Sequence, residues 1–353
     1  MSELLDDMVN LRILENICSG VGVQVNINYL ANKLKRHRKT IKKQVNSLFE
    51  NEILNKPVYP FLGLYQEYQL MVVAQAELPR IPEITEFLRD DKQIFAAYYV
   101  KDEAYNTLMI EYHENLHSYG QWRKKIVSDR IIPPRETRYP AKVSFYSNKD
   151  IIKYQPHSPI YSIEEKFNQG QEIEMNGYKV NELCLQILKN LLTGEGIRTN
   201  ESKLSKDLEI HRKTVERRIK LLQEHGVIGK PVCRFPKFFV PPGHILIYAL
   251  VEVKKSKDRV IRAIRSDPRV PLAIEAEIGR YNLLLFKVFS NVEEHFEWDE
   301  MYEERFPNCF GAMKFIFLSP KMTAAIDQQK VSLGILNKRK DMLHGKELLR
   351  SLD

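Results

Sequence analysis

The chain has 353 residues, room for two to four domains at roughly 100–200 residues each. Hydrophobic residues at 43% and charged residues at 28% give a globular balance and exclude a disordered or fibrous chain. The formal charge of +8 is modest, and the four cysteines (Cys18, Cys184, Cys233 and Cys309) have no CxxC spacing, which argues against a disulfide framework or a zinc site.

The first ten residues carry Glu3, Asp6 and Asp7 where a secretion signal would carry bases. Residues 8–19 place Leu11, Leu14, Ile17 and Cys18 at helical spacing, and Gly20 and Gly22 end that helix. Asn26 or Asn28 can cap a second helix, with Leu30, Ala31 and Leu34 turned inward. After a short basic turn, a third helix is predicted from about His37 to Asn51, burying Ile41, Val45, Leu48 and Phe49. Ile53-Leu54 and Val58-Tyr59 flank a Lys-Pro turn, as in a two-stranded wing. Residues 1–62 therefore read as a winged helix-turn-helix.

Residues 63–150 follow a ferredoxin-like βαββαβ pattern. The strands are expected at 67–76, 94–100, 107–112 and 142–147, and the helices at 82–90 and 117–128. Residues 151–178 read as a linker, with Pro156, Pro159, Gly170 and many polar residues, although Ile151, Ile152, Tyr154, Ile160 and Tyr161 suggest packing on a surface.

The chain then repeats itself. His37-Arg38-Lys39-Thr40 recurs as His211-Arg212-Lys213-Thr214, an offset of 174 residues. At that offset 19 of 51 ungapped positions are identical, including Gly20 with Gly194, Asn26 with Asn200 and Lys56-Pro57-Val58 with Lys230-Pro231-Val232. Such self-similarity marks a duplicated unit. Downstream the offset becomes 176: Tyr105-Asn106 meets Tyr281-Asn282, and Trp122 meets Trp298. The whole two-domain module is thus duplicated, with a second winged helix-turn-helix over 179–238 and a second ferredoxin-like domain over 239–322. Residues 323–353 read as a C-terminal helix or tail. The expected fold class is α+β, two winged helix-turn-helix domains alternating with two ferredoxin-like domains as an internal pseudo-dimer.

Charge concentrates on the predicted third helices. Residues 33–56 hold eight bases against two acids, and residues 203–230 hold eight bases against four acids. The apolar register of Ile41, Val45 and Leu48 turns Arg38, Lys39, Lys42, Lys43 and Asn46 outward. In the second copy Arg212, Lys213, Arg217 and Lys220 take that face. A recognition helix places its N-terminal residues at base edges in the major groove, and Arg and Lys suit guanine acceptors and phosphates. The candidate DNA-binding residues are therefore Arg36, His37, Arg38, Lys39, Thr40, Lys42, Lys43, Asn46, Lys56, His211, Arg212, Lys213, Thr214, Arg217, Lys220 and Lys230. The plain alternatives are a solvated basic face, helix capping by His37 and His211, and simple hairpin turns at Lys56 and Lys230.

Enzyme signatures are weak. P-loop, GxGxxG and GxSxG patterns are missing from the sequence, and its one HExxH string is His113 to His117. His113 and His117 have i,i+4 spacing without a third ligand or a counterpart in the second copy, so they read as a strand-to-helix junction. The acidic run from Glu293 to Glu304 reads as a solvated helix face, and the two tryptophans as core anchors. The sequence predicts no catalytic residues, no metal and no cofactor.

The second copy's LSKDLEIHRKTVERRIKLLQEHGVIGKP and IGRYNLLLFKV are similar to the helix-turn-helix signature and the Gly-x-Tyr-Asp-Leu-Leu strand of one family, with Asn282 in place of the family's Asp. The chain thus resembles the leucine-responsive/asparagine-regulator (Lrp/AsnC-like) transcription factors, duplicated in tandem. The resemblance implies a nucleoid-associated regulator of double-stranded DNA; the lack of an apolar run of membrane length points to the cytoplasm, and Lys42-Lys43 aligning with Glu216-Arg217 points to an asymmetric site. The resemblance also implies a small-molecule effector between the α+β domains, further homodimerisation and no membrane partner. The alternatives are a siroheme-decarboxylase-like enzyme that handles a tetrapyrrole or other small ligand on the same fold, with His244, Arg280 and Tyr281 in a cleft, and an RNA-binding protein.

Overall fold

The computed structural model describes residues 2–59, 68–101, 104–129, 131, 142–147, 150–234, 240, 243–276, 280–318, 323–326 and 328–350. The chain divides into two compact units. One joins 1–67, 181–236 and 327–353; the other joins 68–180 and 237–326.

In the first unit the helices are Met8–Cys18, Ile27–Lys33 and Arg38–Glu50 in copy one. In copy two they are Glu182–Leu192, Glu201–Leu208 and Arg212–Glu224. Local chemistry sets their starts. Asn26 Oδ1 accepts from Tyr29 N at 3.1 Å, and Asn200 Oδ1 accepts from Lys203 N at 3.1 Å. Each satisfies an amide that has no partner in the first turn. Between the second and third helices, Lys35 and Glu209 take left-handed backbone at φ 49° and 56°. They are counterparts at the 174 offset, so both copies make the same tight turn without a glycine.

The wings differ from expectation. Pro57–Val58 pairs antiparallel with Val232–Cys233, and Val23–Val25 pairs antiparallel with Ile197–Thr199. Each copy's wing strand thus finds its partner in the other copy, not in a local hairpin. Two registers, Val58 with Val232 and Gln24 with Arg198, join a residue to its own counterpart 174 positions later. That is the pairing pattern of a two-fold axis inside one chain. The contacts are reciprocal. A Cβ on Gly22 would lie 2.6 Å from Leu204, and one on Gly196 would lie 2.6 Å from Leu30. The amides of Asn26 and Asn200 likewise donate to the carbonyls of Gly196 and Gly22. The last helix, Gln328–Arg350, packs on Met8–Cys18, burying Ile335 and Leu336. Arg339 and Lys340 there pair with Asp6 at 3.0 Å and Glu15 at 2.7 Å.

The second unit holds two five-stranded antiparallel sheets. In one, Lys142–Ser147, Leu70–Ala76, Thr107–His113 and Ile94–Tyr99 lie side by side. In the other, Phe310–Leu318, Ile245–Val253, Leu283–Phe289 and Leu272–Glu275 take the same order. These are the four strands of each βαββαβ. The helices Pro82–Asp90 and Leu116–Ser128 cover the first sheet, burying Ile84, Leu88 and Ile126. Lys257–Ser266 and Val292–Arg305 cover the second, burying Val260, Ile264, Trp298 and Tyr302.

Each fifth strand comes from the other copy. Residues 151–178 were expected as a linker, but Ile151–Tyr154 pairs with Leu272–Glu275 of copy two, and Pro159–Asn168 is a helix. Reciprocally, Thr323–Ile326 pairs with Ile94–Tyr99 of copy one. The registers match position for position. Ile274 meets Ile151 as Tyr98 meets Thr323, with the same irregularity one residue on. A lysine secures one exchange: Lys153, buried on the exchanged strand, donates to the carbonyls of Ile264 and Asp267 at the end of helix Lys257–Ser266. Orphan carbonyls at a helix end favour such a cation.

Candidate nucleic-acid interface

The third helix of each copy is built alike. Ile41, Val45 and Leu48 point inward in one, and Val215, Ile219 and Leu222 in the other. Apolar residues at this spacing fix which face is left to solvent. In copy one that face presents Arg38, Lys39, Thr40, Lys42, Lys43 and Asn46, all exposed, with Arg36 and His37 exposed just before them. In copy two His211, Arg212, Lys213, Arg217 and Lys220 are exposed and Thr214 is half-buried. Lys56 and Lys230 are exposed beside the paired wing strands.

His37 and His211 have a definite local role. Their Nδ1 atoms accept from the amides of Lys39 and Lys213, both at 3.2 Å, so they are the N-caps of the two helices. In the neutral ring an accepting Nδ1 leaves the proton on Nε2, where it can donate outward. Capping and an outward donor are therefore compatible.

The two faces differ in free charge. Among the described residues Arg38, Lys39, Lys42 and Lys43 of copy one make no ion pair, and neither do Lys213 and Arg217 of copy two. Arg212 lies 4.0 Å from Glu201, and Lys220 lies 3.6 Å from Glu224. Two bases of the sequence count turn elsewhere. Lys33 pairs with Glu195 of the other copy. Arg218 reaches across to copy one, donating to Asp7 at 2.6 Å and Asn10 at 3.3 Å. Burial works to raise the Asp7 carboxyl, but the bonds from Arg218 and from the Asn10 and Val9 amides outweigh it and hold the group below its ordinary range. The apolar register leaves Arg218 off the outward face, but nothing local names its partner, which lies in the other copy.

Of the cleft residues of the alternative reading, Arg280 and Tyr281 lie at one end of the pairing between Ile245–Val253 and Leu283–Phe289, and His244 lies at the other. Arg280 is exposed, 3.4 Å from Glu252, and Tyr281 and His244 are half-buried. The family's glycine position, Gly279, and its copy-one counterpart Glu103 lie outside the described residues. Asn282 and Asn106 are structural. Each side-chain amide bonds one backbone residue twice, Asn282 with Val253 and Asn106 with Leu78, at 2.8 to 2.9 Å. His113 is buried 3.3 Å from Glu111, and His117 is exposed on the next helix.

The tryptophans are anchors with a shared partner type. Trp122 Nε1 donates to Asp91 at 3.1 Å and Trp298 Nε1 to Asp267 at 2.6 Å, and both pairs obey the 176 offset. Between them the copies invert a buried charge. Lys287, fully buried, is 2.9 Å from Asp299 and 4.2 Å above the Trp298 ring. Its counterpart Glu111 is equally buried near Arg123. Burial lowers the Lys287 amine to about 8 against the opposing pull of Asp299. Burial likewise raises the Glu111 carboxyl, opposed by the bond from His113.

No protein-family model and no curated protein matches the chain. Among solved structures it is similar to the siroheme decarboxylase NirDL in complex with an iron-uroporphyrin III analogue. The identity is 15%, the match covers 97% of this chain and 99% of that one, and the TM-score is 0.50. Parts of the chain are similar to AsnC of E. coli (12% identity, 47% of this chain and 92% of that one, TM-score 0.28). A transcriptional regulator of Neisseria meningitidis in complex with L-Met is similar at 16% identity, over 38% of this chain and 86% of that one, with a TM-score of 0.29.

The fold is the Lrp/AsnC-like one. Winged helix-turn-helix and ferredoxin-like halves are both present, and the α+β, internally paired architecture expected from the sequence is the one observed. The expectation that the chain is not an enzyme is corrected by the same likeness. A protein that shares this architecture over its whole length is a decarboxylase, so weak enzyme motifs do not exclude catalysis. Among the described residues no helix is long and apolar enough to cross a membrane.

Proposed function

We propose that this chain is a sequence-specific double-stranded DNA-binding transcription regulator. Helices Arg38–Glu50 and Arg212–Glu224 would read the two unequal halves of an asymmetric site. The observation that carries this reading is the exposed cationic first turn of both helices, Arg38-Lys39 and Arg212-Lys213, held in the same capped geometry in each copy. Lys42, Lys43, Asn46, Arg217 and Lys220 extend the face, and Lys56 and Lys230 stand by for flanking phosphate. Because Lys42-Lys43 aligns with Glu216-Arg217, the half-sites differ. A small-molecule effector would act through the ferredoxin-like half, in a reducing, nucleoid-associated setting. Selection of bound sequences from a random duplex pool tests the proposal: an enriched, non-palindromic motif supports it, and no enrichment at low salt refutes it.

The full-length likeness to NirDL favours a second reading, a tetrapyrrole-handling enzyme on the same fold. Titration with an iron porphyrin, followed by its absorbance band, separates the two. A saturable spectral shift supports the second reading, and an unchanged spectrum with tight DNA binding supports the first.

A further inference from the structure

The duplicated ferredoxin-like domains carry opposite charge on equivalent helix faces. At the 176 offset, exposed Glu83 and Glu86 of helix Pro82–Asp90 become exposed Arg259 and Arg262 of helix Lys257–Ser266. On the neighbouring helix the sign flips the other way. Arg123 and Lys124 of Leu116–Ser128 become Asp299 and Glu300 of Val292–Arg305. Copy one thus shows an acidic helix beside a basic one, and copy two a basic helix beside an acidic one.

The same helices expose apolar residues. Ile81 is 46% exposed, Leu116 62%, Val292 38%, Phe296 56% and Met301 44%. Ile81 and Leu116 on the copy-one layer and Val292, Phe296 and Met301 on the copy-two layer supply the apolar component that a protein contact uses. Among the described residues Glu83, Glu86, Arg262, Lys124 and Glu300 have no ion-pair partner within the chain. Unpaired charges of both signs around exposed apolar groups fit a surface of the inverse pattern.

That inverse pattern is present in the chain itself. We propose that the helical layer of copy one docks on the helical layer of copy two of a second chain, with Glu83 and Glu86 against Arg259 and Arg262, and Lys124 against Glu300. With equivalent helices face to face, copy one on copy one would set acid on acid and base on base, whereas copy one on copy two sets acid on base throughout. The inference stands apart from DNA reading, which uses other helices.

Sedimentation velocity of the full chain without DNA tests it. The expected result is association at low salt that weakens at high salt, as exposed charge pairs require. Glu83→Arg with Glu86→Arg should weaken association roughly tenfold or more, as should Arg259→Glu with Arg262→Glu. Combining the four changes, which reverses both faces, should restore it. All four positions are exposed, so circular dichroism should report an unchanged fold. A chain that stays monomeric at low salt overturns the proposal. So does association that ignores the reversals, or a quadruple variant no better than the doubles. If Arg259→Glu with Arg262→Glu weakens only DNA binding, the basic helix serves nucleic acid and the proposal fails.

Discussion

Gln24 stands opposite Arg198 in the antiparallel ribbon between the copies, and the two are separated by the same 174 residues as the copies themselves. With its carboxamide oxygen toward the guanidinium, Gln24 accepts from Nε at 3.0 Å and from Nη2 at 2.9 Å. A homodimer would place identical residues on such an axis. Duplication has allowed an unlike pair, a carboxamide against a guanidinium, where two arginines would repel. The same freedom produced Glu111 against Lys287 and the unequal recognition helices.

The axis is also packed tightly, which gives a first prediction. Gly22 has no room for a methyl group because Leu204 lies against it, and its own φ is not left-handed. Gly22→Ala should destabilise the chain by about 1–3 kcal/mol, the usual cost of overpacking. Leu204→Ala should relieve the added clash, so thermal melts of the two singles and the double should be non-additive. Additive losses would show that the contact does not matter.

Glu209 is a second test. Its left-handed backbone costs a non-glycine residue roughly 1–2 kcal/mol. Glu209→Gly should therefore raise stability, by about 0.5–1 kcal/mol after the extra unfolded-state entropy of glycine. Urea denaturation checks the sign.

Much of the fold was legible because its helices are local objects. Asp7, Asn26, His37, Asn181, Asn200 and His211 cap where apolar spacing begins. What could not be read was pairing across the duplication. Pro57–Val58 and Ile151–Tyr154 are short segments whose partners lie more than 100 residues away, and nothing in their own pattern says that the partner is in the other copy. The exposed basic face of the third helices was legible for the same local reason as the helices. The partner of Arg218 was not legible, because Asp7 lies in the other copy.

Buried amines make stability pH-dependent. Lys287 and Lys153 each have a folded value near 8, lowered by burial from an ordinary 10.5. Between those values the unfolded chain binds more protons, so stability should rise with pH from about 8 toward 10. Lys287→Met should flatten that rise. A melting temperature that falls across this window in the wild type would contradict the assignment.

Glu294 gives the opposite case. Burial alone would raise its carboxyl, but bonds from Ser290 and Lys166 outweigh it and hold the value at about 2. Its stabilisation is complete above about 4.5 and is lost as pH falls toward 2. Glu294→Gln should cost about 1–2 kcal/mol at neutral pH and less in acid. Melts at pH 7 and pH 3 measure both.

The central claim rests on four cations. Fluorescence anisotropy with a duplex carrying the selected motif, read across a salt series, compares the wild type with the Arg38→Ala, Lys39→Ala, Arg212→Ala, Lys213→Ala variant. Binding through these helices predicts a loss of at least tenfold in affinity and a salt slope shallower by several units, since each lost phosphate contact removes about 0.9. Wild-type affinity and slope in the variant would contradict the account.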